Sequence, residues 1–260
     1  MSYNTLRDLE LAGVQWEITD MPFTAPAAKA APKPAIPQTR EAVAAAIVAE
    51  IGRTATAVVP PIAPSQSISI DTVRAMASRP NDMATLNRMI GEFKHPLRDC
   101  ATNTVLPHVG QGGLLIVTDM PSSDDDATGG ILSGAAGELM DKMLSAIGQS
   151  RATTSIMPLV FWRTPGGRTP SESELSLARP FVDRALKLIH PRVILTLGTL
   201  PAAQLAGVNL AKSHGVPVEM PGGATLVPIF HPNYLILKPA AKRDVWDALQ
   251  NVRNILKSAE

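Results

Sequence analysis

Short apolar stretches of strand length, separated by longer amphipathic ones, constrain the fold of this chain most. The run Leu114–Thr118 carries no charge and suits a strand that is buried on both faces of a parallel sheet. Similar runs occur at 156–161, 193–197 and 225–229, with helical patterns between them. Because alternating strands and helices form parallel sheets covered by helices, we predict an α/β three-layer sandwich with a central parallel four-stranded sheet.

Helix signals fill the intervals between the predicted strands. A helix is predicted at 70–91, with Asp71 as the candidate N-cap. Another is predicted at 171–190, where Ser171 and Glu174 have the spacing of a capping box and a proline follows the last residue. Three further helices are predicted at 134–147, 198–206 and 239–258.

Composition excludes several classes of protein. The net charge of +1 gives no global basic field that would point to nucleic acid, although charges can still cluster locally. The one cysteine, Cys100, excludes a disulfide framework and a cluster held by the cysteines of a single chain. No apolar run of membrane-spanning length and no secretory signal is found, so we expect a soluble, cytoplasmic protein that does not interact with membranes.

The first 66 residues differ in composition from the rest. Residues 21–66 are rich in Ala and Pro, which favours an extended tether rather than a core. Residues 1–20 carry spaced apolar side chains and suit either a docking peptide or a frayed helix that packs on its own domain. The candidate anchors of a docking peptide are Leu11, Val14 and Trp16. The compact domain is expected at 67–260.

One edge of the predicted sheet collects residues that can carry function. In open parallel sheets, ligands bind beyond the carboxyl ends of the strands. The residues predicted at those ends are Asp119, Pro158, Gly198 and His231. We therefore predict the functional site at this edge.

Several separated motifs resemble those of a known family. The chain reads ATNTV at 101–105, TDMPSSDDD at 118–126, GGILSG at 129–134, PRVILTLG at 191–198 and HPNYL at 231–235. In this order they resemble the motifs of the uracil-DNA glycosylase superfamily, nearest to its bacterial iron–sulfur type, family 4. The resemblance implies the fold of that superfamily and a cleft that receives a flipped base.

The resemblance also implies roles for four positions, three of them altered. Asp119 stands where the family has a Glu that positions water, and His231 matches the histidine that stabilises charge on the uracil oxygen. Leu132 replaces an aromatic ring that stacks on the base, and Pro158 replaces the Asn that reads the uracil edge. From the residues alone, Asp119 also suits a cap of the turn before Pro121, and His231 a histidine bonded to nearby backbone.

The cofactor of the family is expected to be lost. Its cluster-ligating cysteines fall on residues such as His95, Trp162 and Ala178, and Cys100 alone cannot replace them. The three aspartates at 124–126 suit a solvated turn rather than a metal site, so we expect neither a cofactor nor a metal.

Nucleic acid and a protein are the expected partners. The candidates for contacts with DNA phosphates are Arg163, Arg168, Lys212 and His214, the alternative being ordinary surface charges. The stretch RDLELAGVQW at 7–16 is similar to the clamp-loader docking peptide of the psi subunit of bacterial DNA polymerase III. That subunit is related in fold to the glycosylases and lacks their activity.

These two resemblances predict a uracil-DNA glycosylase superfamily protein with degraded catalytic motifs. It would act as a non-catalytic binding component in DNA replication or repair, associated with the clamp loader if the psi resemblance holds. The alternative is an active uracil-DNA glycosylase with altered base preference that uses Asp119 and His231.

Overall fold

A computed structural model describes residues 69–258. The predicted docking peptide at 1–20, with its anchors Leu11, Val14 and Trp16, lies outside the described residues, as do the whole predicted tether at 21–66 and the first two residues of the predicted domain. In chain order the strands are β1 (Leu114–Thr118), β2 (Thr154–Pro158), β3 (Val193–Leu197), β4 (Val218–Glu219) and β5 (Thr225–Ile229). The helices of the described range are α1 (Ile70–Ala77), α2 (Met83–Glu92), α3 (Ser123–Thr128), α4 (Gly134–Ala146), α5 (Glu172–Ile189), α6 (Thr199–Ala206), α7 (Leu210–Ser213), α8 (Pro232–Leu237) and α9 (Lys242–Ser258).

The strands form one sheet in the order β2-β1-β3-β5-β4. The predicted parallel four-stranded core is confirmed, because β2, β1, β3 and β5 all pair in parallel. The short strand β4 adds an antiparallel edge next to β5. It was not predicted, because two residues are too few to show a hydrophobic period.

Each face of the sheet packs on its own hydrophobic core, which makes the domain a three-layer sandwich. Successive side chains of a strand point to opposite faces. Leu115 and Val117 therefore join a core formed with α1, α2 and α5, whereas Leu114 and Ile116 join a core formed with α4 and α9. All four side chains are at most 1% exposed, and each contributes about 1.5–3 kcal/mol of burial free energy.

The prediction of one continuous helix at 70–91 is wrong, because a non-helical segment separates two helices, α1 and α2, in this range. Pro80 lies in this break, and the side chain of Asp82 caps α2 by accepting a 2.8 Å hydrogen bond from the backbone N–H of Thr85. Asp71 is not an N-cap. It lies inside the first turn of α1, and its carboxylate pairs with Arg74 at 2.8 Å.

The capping box predicted for α5 is confirmed. The backbone N–H of Glu174 bonds to the Ser171 hydroxyl, and the Glu174 carboxylate accepts from the Ser171 N–H. Strand β2 starts and ends earlier than its predicted range of 156–161. The chain leaves the sheet after Pro158, where the N–H of Leu159 bonds to the carbonyls of Thr118 and Asp119 at 2.9 and 3.1 Å and the N–H of Val160 bonds to the Asp119 carbonyl at 3.2 Å. This exit ties the end of β2 to the turn that follows β1.

No helix within residues 69–258 has the length and apolar character that crossing a membrane would require.

Candidate functional site

An open cleft with a volume of about 710 Å³ lies beyond the carboxyl ends of β1 and β5, as predicted for a parallel sheet. It is lined by the turn after β1, the start of α4, the loop after β2 and the helix α8. The structure brings four of the predicted site residues together in its wall, namely Asp119, Leu132, Arg163 and His231. Pro158 is buried at the end of β2, where it pairs with Thr118 in the sheet register.

Asp119 is bonded to its own turn. Its Oδ1 atom accepts a 2.8 Å hydrogen bond from the backbone N–H of Met120 and lies 3.3 Å from the hydroxyl of Thr118. One carboxylate oxygen therefore supports the turn before Pro121, while the side chain as a whole remains in the cleft wall. The turn-capping alternative and a role in the cleft are geometrically compatible.

His231 occupies the N-cap of α8, and its hydrogen bonds define which ring nitrogen carries the proton. Its Nδ1 atom accepts from the backbone N–H of Asn233 at 3.1 Å, so the neutral ring carries its proton on Nε2. Burial lowers the pKa of His231, and the negative charges of Asp119 and Asp125 oppose this only in part. At neutral pH the ring is therefore a neutral Nε2–H donor.

Gly198 lies beside His231, and its backbone conformation rather than its surroundings requires a glycine. Its φ of +93° lies in the left-handed region, and a Cβ there would be 3.7 Å from the Cβ of His231. A side chain at 198 would therefore strain the backbone beside the histidine.

Leu132 has an unusual backbone for a leucine, with φ at +50° and a side chain only 3% exposed. The guanidinium of Arg151 holds this conformation by donating to the carbonyls of Ile131 and Leu132 at 2.8 and 2.6 Å. The same guanidinium bonds Asp141 of α4 at 2.7 Å. Strained backbone persists only where surrounding contacts impose it, and such positions cluster at binding sites. The contribution of Arg151 was not predicted, because these partners lie ten to twenty residues away in the chain.

The predicted solvated turn at 124–126 is wrong for its conformation and for Asp125, although Asp124 is exposed as predicted. These residues form the first turn of α3, and Asp125 is 3% exposed. Its carboxylate accepts from the backbone N–H of Ser122 at 2.9 Å and of Ser133 at 2.6 Å, which joins the turn after β1 to the start of α4. Within the described part of the chain, no cluster of three or more His, Cys, Asp or Glu residues could hold a metal ion.

The positions to which the sequence resemblance assigns cluster ligands are filled by packed side chains. The His95 ring stacks on Trp162 with centroids 4.7 Å apart and an interplanar angle of 13°. His95 bonds backbone groups through both nitrogens, the Trp162 N–H donates to Thr104 at 2.9 Å, and Ala178 is fully buried. Cys100 is exposed and is the single thiol of the sequence. These residues do not fit an iron–sulfur cluster, which needs several thiolate ligands.

His95 is expected to make the stability of the domain depend on pH. Burial lowers its folded-state pKa below the ordinary 6.5, so the unfolded chain binds the proton more readily. The stability contribution of neutral His95 is therefore fully present above the ordinary pKa of 6.5 and is lost as the pH falls towards the lower folded-state pKa. In this window we expect the free energy of unfolding to fall by up to about 1.4 kcal/mol per pH unit from this group.

Urea unfolding between about pH 7.5 and 5.5 measures this dependence. The free energy of unfolding should fall less steeply with decreasing pH in the His95→Gln variant than in the wild-type chain. Some pH dependence should remain, because burial also lowers the pKa values of His214 and His231. An unchanged slope in the variant would contradict the assignment.

The four predicted phosphate contacts differ in their surroundings in this structure. Arg163 lines the cleft and Lys212 is exposed on α7. Arg168 instead makes a bidentate pair with Glu174, at 2.8 and 2.6 Å, and this guanidinium lowers the pKa of Glu174 to about 2. His214 is half-buried, and burial lowers its pKa, so it is neutral at neutral pH.

An aromatic series that ends at Tyr234, a residue of the cleft wall, was not predicted. The ring of His214 stacks on Phe230 at 4.2 Å, and Phe230 contacts Tyr234 at 4.9 Å. The ammonium of Lys238 lies 5.4 Å from the centre of the Tyr234 ring. Leu237, which precedes Lys238 in the chain, is 80% exposed and lines the cleft. Aromatic rings with flanking cations are the usual surface for single-stranded nucleic acid.

Comparison with known proteins agrees with this geometry. A family model described as the uracil DNA glycosylase superfamily matches residues 108–250. The type-4 uracil-DNA glycosylase of Thermotoga maritima is 30% identical over 171 residues, which cover 62% of this chain and 88% of the relative. The type-4 enzymes of Pyrobaculum aerophilum and Archaeoglobus fulgidus are 30% and 28% identical, with the same coverage of each chain.

Proposed function

Because the chain belongs to the uracil-DNA glycosylase superfamily, we propose that it is a member with a degraded active site that serves as a non-catalytic binding component in DNA replication or repair. The observation that carries this proposal is the composition of the cleft. Leu132 lines the cleft, and Pro158 ends β2 in sheet register with Thr118; the family resemblance assigns these positions to stacking and reading a base, and neither side chain offers an aromatic ring or a polar atom.

The expected loss of activity follows from the chemistry of excision. A pocket that reads a base by hydrogen bonds discriminates by about 10⁴–10⁵, and Pro158 supplies no such bond. A catalytic group displaced by about 1 Å costs roughly a hundredfold in rate, and the side chain of Asp119 is one methylene shorter than Glu. Together these changes support binding without efficient bond cleavage.

Nucleic acid remains a suitable partner for the cleft. Arg163 lines the cleft together with Tyr234 and Leu237, Lys238 lies beside the Tyr234 ring, and Lys212 is exposed on α7. With so few cations, we expect weak binding that falls steeply with salt. Residues 1–20 would supply the contact with a protein of the replication or repair machinery, a proposal that rests on sequence resemblance. We further propose that no iron–sulfur cluster is bound, which iron analysis of the purified protein tests.

The decisive experiment measures release of uracil from single- and double-stranded oligonucleotides at excess protein. The type-4 enzyme of Thermotoga maritima serves as the positive control. We expect no release above background, together with salt-sensitive binding of the same oligonucleotides. Rapid release that Asp119→Ala or His231→Ala abolishes would instead establish an active glycosylase with altered base preference.

A further inference from the structure

Thr118 lies between the two candidate catalytic side chains, Asp119 and His231, although neither the sequence motifs nor the proposed function assigns it a role. It is the last residue of β1 and is 2% exposed, with its hydroxyl in the cleft wall. That oxygen lies 3.3 Å from Nε2 of His231 and 3.3 Å from Oδ1 of Asp119. It therefore links the two candidate catalytic side chains across 113 residues of sequence.

The direction of each hydrogen bond in this link follows from the backbone. Because Nδ1 of His231 accepts the Asn233 N–H, the ring can donate only from Nε2. The Thr118 oxygen accepts that proton, and its own hydroxyl proton is directed to the Asp119 carboxylate. A hydroxyl that donates to a carboxylate becomes a better acceptor, so each bond strengthens the other.

We propose that the Thr118 hydroxyl competes with a base carbonyl for the Nε2–H of His231. In the structure the hydroxyl accepts this hydrogen bond, so the donor is not free for a base. This inference rests on the proposed function, since it takes the cleft as the base site, and it adds a cause for the lost activity. A keto base that enters the cleft must break the bond between Thr118 and His231 before the ring can donate to it. The donor is present and correctly protonated, but it is already bonded within the protein.

The proposal is tested by comparing variants of Thr118 in binding two single-stranded oligonucleotides. One carries a single uracil, and the other carries at that position an abasic analogue without any base carbonyl. Thr118→Ala is expected to bind the uracil oligonucleotide about tenfold more tightly than the wild-type chain, with no gain for the abasic one. Thr118→Ser keeps the hydroxyl and should behave as wild type.

A purely structural role of Thr118 would change both affinities equally. Equal changes, or a Ser variant that binds like the Ala variant, would overturn the proposal. NMR gives a second measurement that needs no ligand. The Nε2 proton of His231 should be observable in the wild-type chain and lost to solvent exchange in Thr118→Val, which keeps the volume. Its persistence in Thr118→Val would also overturn the proposal, whereas uracil release by the wild-type chain would overturn only the proposed function.

Discussion

Replacing Gly137 by alanine is expected to lower the free energy of unfolding by about 3 kcal/mol and to disturb the cleft. A Cβ at this position in α4 would lie 1.8 Å from the carbonyl oxygen of Leu132 and 2.7 Å from its carbonyl carbon. Both are backbone atoms of the turn that Arg151 holds, so they cannot move aside without breaking the bonds from its guanidinium. The strained turn and α4 therefore fit together only when residue 137 lacks a side chain.

Urea unfolding measures the loss, and Gly91→Ala is the matched control. Gly91 lies inside α2, and a Cβ there would meet nothing within 4 Å. An alanine at this half-buried helical position should be neutral or stabilise by up to about 1 kcal/mol, because the added methyl group meets no neighbour. If both variants have similar stability, the close contact between α4 and the turn is not present in solution.

Replacing Trp162 by alanine is expected to lower the free energy of unfolding by about 3–5 kcal/mol. The side chain is fully buried, stacks on His95 and contacts Phe93 and Phe161. Its removal leaves a large cavity and also leaves the hydroxyl of Thr104 without its donor. The aromatic cluster would then be shown to stabilise the region in which the family resemblance places cysteine ligands.

Thermal and urea unfolding measure this effect, with Trp246→Ala as the control. Trp246 is 45% exposed on α9, so its truncation should cost much less. Similar losses for the two variants would mean that the packing around Trp162 is looser than its burial indicates. Neither tryptophan lines the cleft, so both variants change the stability of the domain without removing a side chain from the cleft wall.

The parts of the fold that depend on residues close together in the sequence were predictable. The strands β1, β3 and β5 have their predicted ends because charge-free apolar runs of five residues are short for a helix and suit a buried strand. The capping box of α5 is equally local, since its two partners are three residues apart. The break between α1 and α2 was missed because the apolar pattern continues across it, although Pro80 was the visible signal.

The sequence by itself determined the layered α/β fold and the edge of the sheet where Asp119 and His231 meet, because periodicity and strand direction are local properties. Only the tertiary structure decided what those residues can do. It placed the Thr118 hydroxyl between them, and it bonded Arg168 to Glu174 instead of leaving its charge for DNA. Such outcomes depend on distances between residues far apart in the chain, and no local pattern encodes those distances.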